Sequence, residues 1–230
     1  MNPENYSRRI QFYTGDIPPL LLDLLDRTVW SSCLDLGCGD GALLDSLNKE
    51  GYFVEKSVYA VDSSRSRLDL VSQINPSIVC MQDDVCQTQL PDASIDFLIS
   101  TQVIEHVQND SDMVSEIHRI LAPNGTVYLS TVFKRWYGWY FYRCNGKWTL
   151  DPTHLREYTH DDQLLDILKK RGFDVVQNKK TRDGRPLLDA ITRRLGGGRK
   201  IYENRVFKRL RRFCIPIPGY YIWEIVCTKS

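Results

Sequence analysis

The densest chemical signal in the chain is Leu34-Asp-Leu-Gly-Cys-Gly-Asp-Gly41, an apolar run that ends in Gly37-x-Gly39-x-Gly41 and passes straight into the helical pattern Ala42-Leu-Leu. Glycines permit a tight turn and let a ligand approach the backbone closely, and the first N–H groups of the following helix are free to donate. Dinucleotide loops use G-x-G-x-x-G, with the last glycine one position later and the helix end facing a pyrophosphate. The shorter spacing here, with Asp35 inside the strand end, fits an amino-acid moiety whose ammonium a carboxylate can meet. Beyond Gly41, Asp62 closes the apolar pattern Val58-Tyr-Ala-Val61, where a carboxylate in a doubly wound sheet takes both hydroxyls of a ribose. Asp83 and Asp84 follow the next strand pattern in the same way, placed to accept from an adenine amino group, with the Val85 N–H meeting the ring. Three successive acidic strand ends match an adenosine with a positively charged amino-acid tail and would repel a phosphate-rich nucleotide.

Such groups must be carried by alternating strands and helices, and short apolar runs do alternate with helical patterns from about residue 31 to 180. Strands are predicted at Ser32 to Leu36, Ser57 to Val61, Ile78 to Met81, Ile95 to Ser100, Thr126 to Thr131, Asp174 to Asn178 and, after Pro216 and Pro218, Gly219 to Lys229. Met113, Val114, Ile117, Ile120 and Leu121 recur at helical spacing until Pro123-Asn-Gly125 breaks the pattern. A second helix should begin near Thr159, with Asp161 and Asp162 in its first turn, and end at Gly172. The expected fold is α/β: a Rossmann-like, doubly wound, seven-stranded, mostly parallel sheet with an antiparallel last strand. Residues 1–29 form an N-terminal helical cap in this reading, with Tyr6, Phe12 and Tyr13 ahead of the apolar run Leu20 to Leu25, and residues 30–230 form the main domain.

Four segments together resemble a known family: Leu34–Gly41, Ala60-Val-Asp62, Asp96-Phe-Leu-Ile-Ser-Thr-Gln-Val-Ile-Glu-His-Val107 and Ile120-Leu-Ala-Pro-Asn-Gly-Thr-Val-Tyr-Leu-Ser130. They look like the successive motifs of class I S-adenosylmethionine (SAM)-dependent methyltransferases, closest to the branch of ubiquinone-pathway O-methyltransferases and small-molecule enzymes. The resemblance covers roughly residues 30 to 178. It implies SAM as cofactor, with Asp35, Gly37, Gly39 and Gly41 at the methionine end, Asp62 on the ribose, and Asp84 with Val85 at the adenine. Cys38, Ser63, Asp83 and Gln102 are expected beside them. It also implies methyl transfer, and the expected acceptor is a small-molecule or lipid-linked hydroxyl oxygen (sugar, quinone-like compound or lipid-linked intermediate), with nitrogen and carbon left open by the sequence. Ubiquinone-pathway relatives can carry a Glu-x-x-Glu-His metal site after the fourth strand. Here Gln102-Val-Ile-Glu105-His106 replaces one carboxylate by an amide, and no metal is expected.

Methyl transfer from a sulfonium is an in-line displacement, accelerated chiefly by holding the reactants collinear in a dry pocket. A hydroxyl acceptor can lose its proton to a nearby imidazole, and His106 and His154 are the candidates; the alternative for each is a structural hydrogen bond at the pocket rim. Trp136-Tyr-Gly-Trp-Tyr-Phe-Tyr142 follows the fifth strand on the crevice side, where it can form a lid over the acceptor, lie at a lipid surface or pack into the core.

Between the last two strands, residues 179–218 form a basic insert. Thirteen Lys and Arg between Lys179 and Arg212 face only Asp183, Asp189 and Glu203, although the whole chain has a net charge of +1. Val206, Leu210 and Phe213 share one helical face, which suits an interfacial helix on anionic lipid; a nucleic-acid contact or a solvated elaboration uses the same charge. Nucleic acid is the least favoured partner, and the sequence leaves the oligomeric state open. Seven cysteines include no C-x-x-C pair, and neither a signal-peptide pattern nor a long apolar run is present, so a cytoplasmic protein with free thiols is expected. Two other functions fit the same motifs: a catalytically silent SAM-binding regulatory module, or an RNA methyltransferase docking through the insert.

Overall fold

The computed structural model describes residues 16–144, 146–186, 206–207 and 214–230. The elements run α1 (Pro19–Arg27), β1 (Ser32–Leu36), α2 (Ala42–Lys49), β2 (Ser57–Asp62), α3 (Arg65–Ile74), β3 (Val79–Gln82), β4 (Ile95–Thr101), α4 (Asp110–Ile120), β5 (Leu121–Lys134), β6 (Tyr142–Cys144), β7 (Lys147–Thr149), α5 (Asp162–Lys170), β8 (Phe173–Pro186) and β9 (Cys214–Lys229). Seven strands make one sheet in the order β3-β2-β1-β4-β5-β9-β8. β1 to β5 pair in parallel, and β9 runs antiparallel between β5 and β8. This is the expected α/β sheet, with its antiparallel last strand.

Two apolar layers explain why it closes. Alternation along β4 sends Leu98 to one face and Phe97 and Ile99 to the other, as a period of two requires. Met113, Val114 and Ile117 of α4 and Leu164 and Leu168 of α5 cover the first face. Leu21 of α1, Leu44 and Leu47 of α2 and Leu68 and Val71 of α3 cover the second. All of these side chains are essentially buried, each contributing about 1.5–3 kcal/mol by area removed from water.

The sheet differs from the sequence expectation at its later strands. The sixth strand continues past Asn178 to Pro186, and the last begins at Cys214 rather than Gly219, so both ends of the basic insert are arms of one antiparallel hairpin. Cross-strand pairing explains this where local pattern does not: Lys179 lies opposite Glu224, Lys180 opposite Trp223 and Arg182 opposite Tyr221. Pro216 and Pro218 fit where β8 and β9 shift register around Asp183. β5 starts early, at Leu121, and Asn124 takes a left-handed φ of 62° in the irregular stretch before the main register resumes at Thr126. The hairpin β6–β7 stands apart as a second, two-stranded sheet that the sequence reading did not contain. Of the insert's expected helical face, Val206 is helical, while Leu210 and Phe213, like Tyr6, Phe12 and Tyr13, lie outside the described residues. Among the described residues no helix is long and apolar enough to cross a membrane.

Candidate active site

The carboxyl ends of β1, β2, β3 and β4 open onto one cleft of about 1970 Å³. The turn after β1 is fixed by two backbone bonds, Gly37 N–H to the Val61 carbonyl at 2.8 Å and Cys38 N–H to the same oxygen at 3.0 Å. Gly37 has φ 82°, and a methyl group there would stand 2.4 Å from Val103 Cγ2. Gly39 has φ 57° with nothing within 4 Å of where a Cβ would stand, so its missing side chain leaves open space over the cleft. Gly41 is not part of the cleft wall, and its α-carbon faces Val71 and Ile74 of α3.

Asp35 is the most perturbed acid of this wall. It is 2% exposed, its Oδ1 has no hydrogen-bond partner, and burial, reinforced by the neighbouring Asp62 charge, pushes its pKa up to about 7. A buried carboxylate with an orphaned oxygen beside an open glycine turn is suited to a cationic donor. Asp62, 6% exposed, accepts from the Gly39 N–H at 2.9 Å and the Ser64 N–H at 2.8 Å, so it ties the β1 turn to the β2 turn. Each oxygen retains a second lone pair for a diol. Ser63 lines the cleft and accepts from Gln82 Nε2 at 3.1 Å.

The β3 end is held by its own acids. Asp83 accepts from the Gln89 backbone and side chain, at 3.0 and 2.9 Å, and Asp84 accepts from the Cys86 N–H at 2.8 Å. Both line the cleft, as do Val85, Cys38 and Gln102. Gln102 follows β4 with a left-handed φ of 56°, unusual for a side-chain-bearing residue, and is fixed there by its N–H to the Ser130 carbonyl at 2.8 Å.

Across the cleft stand the two histidines. His106 and His154 meet edge to face, ring centroids 4.9 Å apart. His106 Nδ1 lies 3.2 Å from the Thr153 hydroxyl and 3.3 Å from the Thr153 carbonyl, and burial holds its pKa below the ordinary value, so the ring is neutral near pH 7. His154 Nδ1 lies 3.2 Å from Glu157 Oε1. Glu157 is ionised, its pKa held down to about 2 despite burial: the His154 ring, the Leu150 N–H (2.7 Å) and the Thr149 hydroxyl (2.8 Å) donate to it, and Lys134 Nζ lies 3.2 Å away. An ionised carboxylate only accepts, so Nδ1 of His154 is the donor in this bond and Nε2 is the ring nitrogen that Glu157 does not use.

Behind the pair, Glu105 is fully buried; Oε2 accepts from the Thr131 hydroxyl at 2.9 Å, Oε1 has no partner, and burial raises its pKa. The ligand atoms of Glu105, His106 and His154 lie within 4.8 Å of one another. Arg156 clamps the loop that carries the cluster, donating to the carbonyls of Ile104 (2.9 Å), Val107 (2.7 Å) and Gln108 (2.6 Å). From the stretch between β7 and α5 the sequence points to His154 alone; Arg156 and Glu157 are legible there as charges, and their partners are not.

Comparison with known proteins identifies the family of the chain. A methyltransferase-domain family matches residues 6–178. A "Probable S-adenosylmethionine-dependent methyltransferase" of Mycolicibacterium smegmatis is 29% identical over 153 residues, 66% of this chain and 55% of that protein. The ubiquinone biosynthesis O-methyltransferase of Bartonella tribocorum is 23% identical over 152 residues, 62% of this chain and 60% of that protein. The matches span about half the length of the mycobacterial relatives. Among solved structures, the [4+2]-cyclase SpnF shares the fold at a TM-score of 0.65 and 18% identity, over 92% of this chain and 80% of that one.

Proposed function

The chain belongs to the SAM-dependent methyltransferase domain family, and from that premise we propose that it methylates a hydroxyl oxygen of a small or lipid-linked acceptor. The observation that carries the oxygen assignment is His154, on the wall of the cleft that the β1, β2 and β3 ends open onto, with Glu157 hydrogen-bonded to its Nδ1.

Asp35 and the Gly37–Gly39 turn hold the amino-acid end of the cofactor, Asp62 its ribose, and the Asp84–Val85 turn its adenine. When bound, SAM supplies a methyl group on a sulfonium, open to displacement by an acceptor oxygen. His154 takes the acceptor's proton at Nε2, and Glu157 stabilises the imidazolium that results, a division of labour that typically contributes 10²–10⁴-fold. His106 packs against the His154 ring and helps keep it in place, and Arg156 fixes the loop from which His106 projects. The identity to a ubiquinone biosynthesis O-methyltransferase supports the same oxygen chemistry.

Titration calorimetry with SAM, S-adenosylhomocysteine and NADH tests the cofactor half; an Asp62→Ala variant should lose the two sulfur ligands. Release of S-adenosylhomocysteine with a panel of phenols, sugars and lipid-linked alcohols tests the acceptor half, where His154→Ala should lower kcat at least a hundredfold with cofactor affinity retained. Binding of NADH in preference to SAM overturns the cofactor reading. Turnover that survives His154→Ala overturns the base.

A further inference from the structure

The loop that leaves β5 and the hairpin β6–β7 carry an unusual side-chain set. Between Lys134 and Thr149 the chain holds seven aromatic residues and four Lys or Arg, with no Asp or Glu. Many of these rings face water: Trp136 is 92% exposed, Phe141 75%, and Tyr137, Trp139 and Tyr142 between 41 and 49%. Isolated exposed apolar residues are ordinary, but five large rings within seven residues are not.

The segment is built to hold that display. The Arg135 N–H donates to the Gly219 carbonyl at 2.8 Å and the Trp139 N–H to the Pro218 carbonyl at 3.1 Å, so β9 pins the loop at two points. The backbones meet so closely that a Cβ on Gly219 would stand 2.5 Å from the Gly138 α-carbon. Tyr140 anchors the other side against Val132, Leu150, Ile217 and Tyr220. The exposed rings brace one another, Trp139 against Phe141 and Trp148, and Trp136 against Tyr137, with the Arg143 guanidinium 4.5 Å above the Trp148 ring. Arg135, Arg143 and Lys147 are exposed around them.

We propose that this aromatic and cationic face docks on an anionic lipid bilayer. Amphipathic Trp and Tyr rings settle at the depth of the headgroups, exposed guanidinium and ammonium groups meet the anionic surface, and the segment itself brings no carboxylate to repel it. β7 runs directly into Leu150–His154, which lines the cleft, so docking here brings the membrane to the His154 side of the site. This goes beyond the methyl-transfer reading and does not depend on the identity of the acceptor.

Vesicle flotation of the full chain separates the outcomes, using phosphatidylcholine vesicles with and without phosphatidylglycerol. The expected result is binding to the anionic vesicles, weakened by salt and accompanied by a blue shift of tryptophan fluorescence. The Arg143→Gln/Lys147→Gln variant should weaken it by roughly 25-fold, taking a fivefold factor for each cation, and Trp136→Ala/Phe141→Ala should weaken it independently. Unchanged S-adenosylhomocysteine binding in both variants shows that they fold. Absence of vesicle binding overturns the proposal, as does binding that both variants retain. Trp136-dependent self-association in sedimentation, without vesicle binding, would assign the face to a second copy of the chain and overturn it too.

Discussion

Replacing Asp35 by Asn should make the protein more stable in alkaline solution and leave it unchanged in acid. The carboxyl titrates near 7 instead of 3.8 because burial and Asp62 both oppose its charge. At about 1.4 kcal/mol per unit, keeping it ionised costs the folded chain on the order of 4 kcal/mol above neutral pH. The folded pKa lies above the unfolded one, so between these values the native state holds more protons, and the contribution of Asp35 to stability declines as the pH rises from 4 to 7. Asn is nearly the same shape and never ionises. Chemical denaturation should find the variant ahead by about 1.5 kcal/mol at about pH 5 and by about 4 kcal/mol at about pH 9. The same carboxylate is needed, charged, by a cationic ligand. Wild-type affinity for S-adenosylhomocysteine should therefore rise about tenfold from pH 6 to pH 8 as Asp35 ionises, whereas the variant should bind weakly without that slope. A stability change that is equal at both pH values, or a wild-type affinity flat across neutrality, refutes the assignment of Asp35 as a strained carboxylate held for an ammonium.

The glycine turn offers a paired comparison: Gly37→Ala should cost more than 2 kcal/mol of stability because the new methyl strikes Val103, whereas Gly39→Ala should cost about 1 kcal/mol from its left-handed backbone alone, yet abolish cofactor binding. Melting curves and calorimetry on both variants distinguish the two costs. Glu157→Gln should destabilise the protein by about 3 kcal/mol, since the nearby Lys134 ammonium loses its counter-charge in a largely buried setting, and should lower kcat with little change in KM. Arg156→Lys, which cannot reach three carbonyls at once, should speed amide hydrogen exchange across residues 102–108, read by mass spectrometry, and lower stability by about 1–2 kcal/mol.

The cleft wall at the β1, β2 and β3 ends was legible because its signals are local. A glycine turn between an apolar strand and a helix, followed by acids at successive strand ends, leaves little freedom in how Asp35, Asp62 and Asp84 are arranged once the sheet is parallel. What escaped the sequence depends on partners distant in the chain. Asn178-Lys-Lys-Thr-Arg182 lacks the apolar alternation of a strand, and it is one because β9 supplies Trp223 and Glu224 opposite it. The hairpin β6–β7 had a turn signal in Asn145-Gly146, the favoured pair for two-residue hairpins, which the aromatic run overshadowed. Glu157 reads as an ordinary surface acid until Thr149, Leu150, Lys134 and Tyr220 are seen gathered around it from three other stretches of chain.

β9 is the last strand in sequence but lies inside the sheet, hydrogen-bonded to β5 on one side and β8 on the other. On a ribosome, β1 to β5 can be in place while β5 still shows a bare backbone edge and β8, whose neighbour in the sheet is β9, has no strand to pair with, the kind of surface that recruits other chains. The pins on the aromatic loop and the Tyr220 hydroxyl that supports Glu157 arrive with the same segment. Synthesis therefore delivers the glycine turn long before it delivers the support behind His154, and the interval between them is when the nascent protein is most exposed to aggregation and most in need of a chaperone.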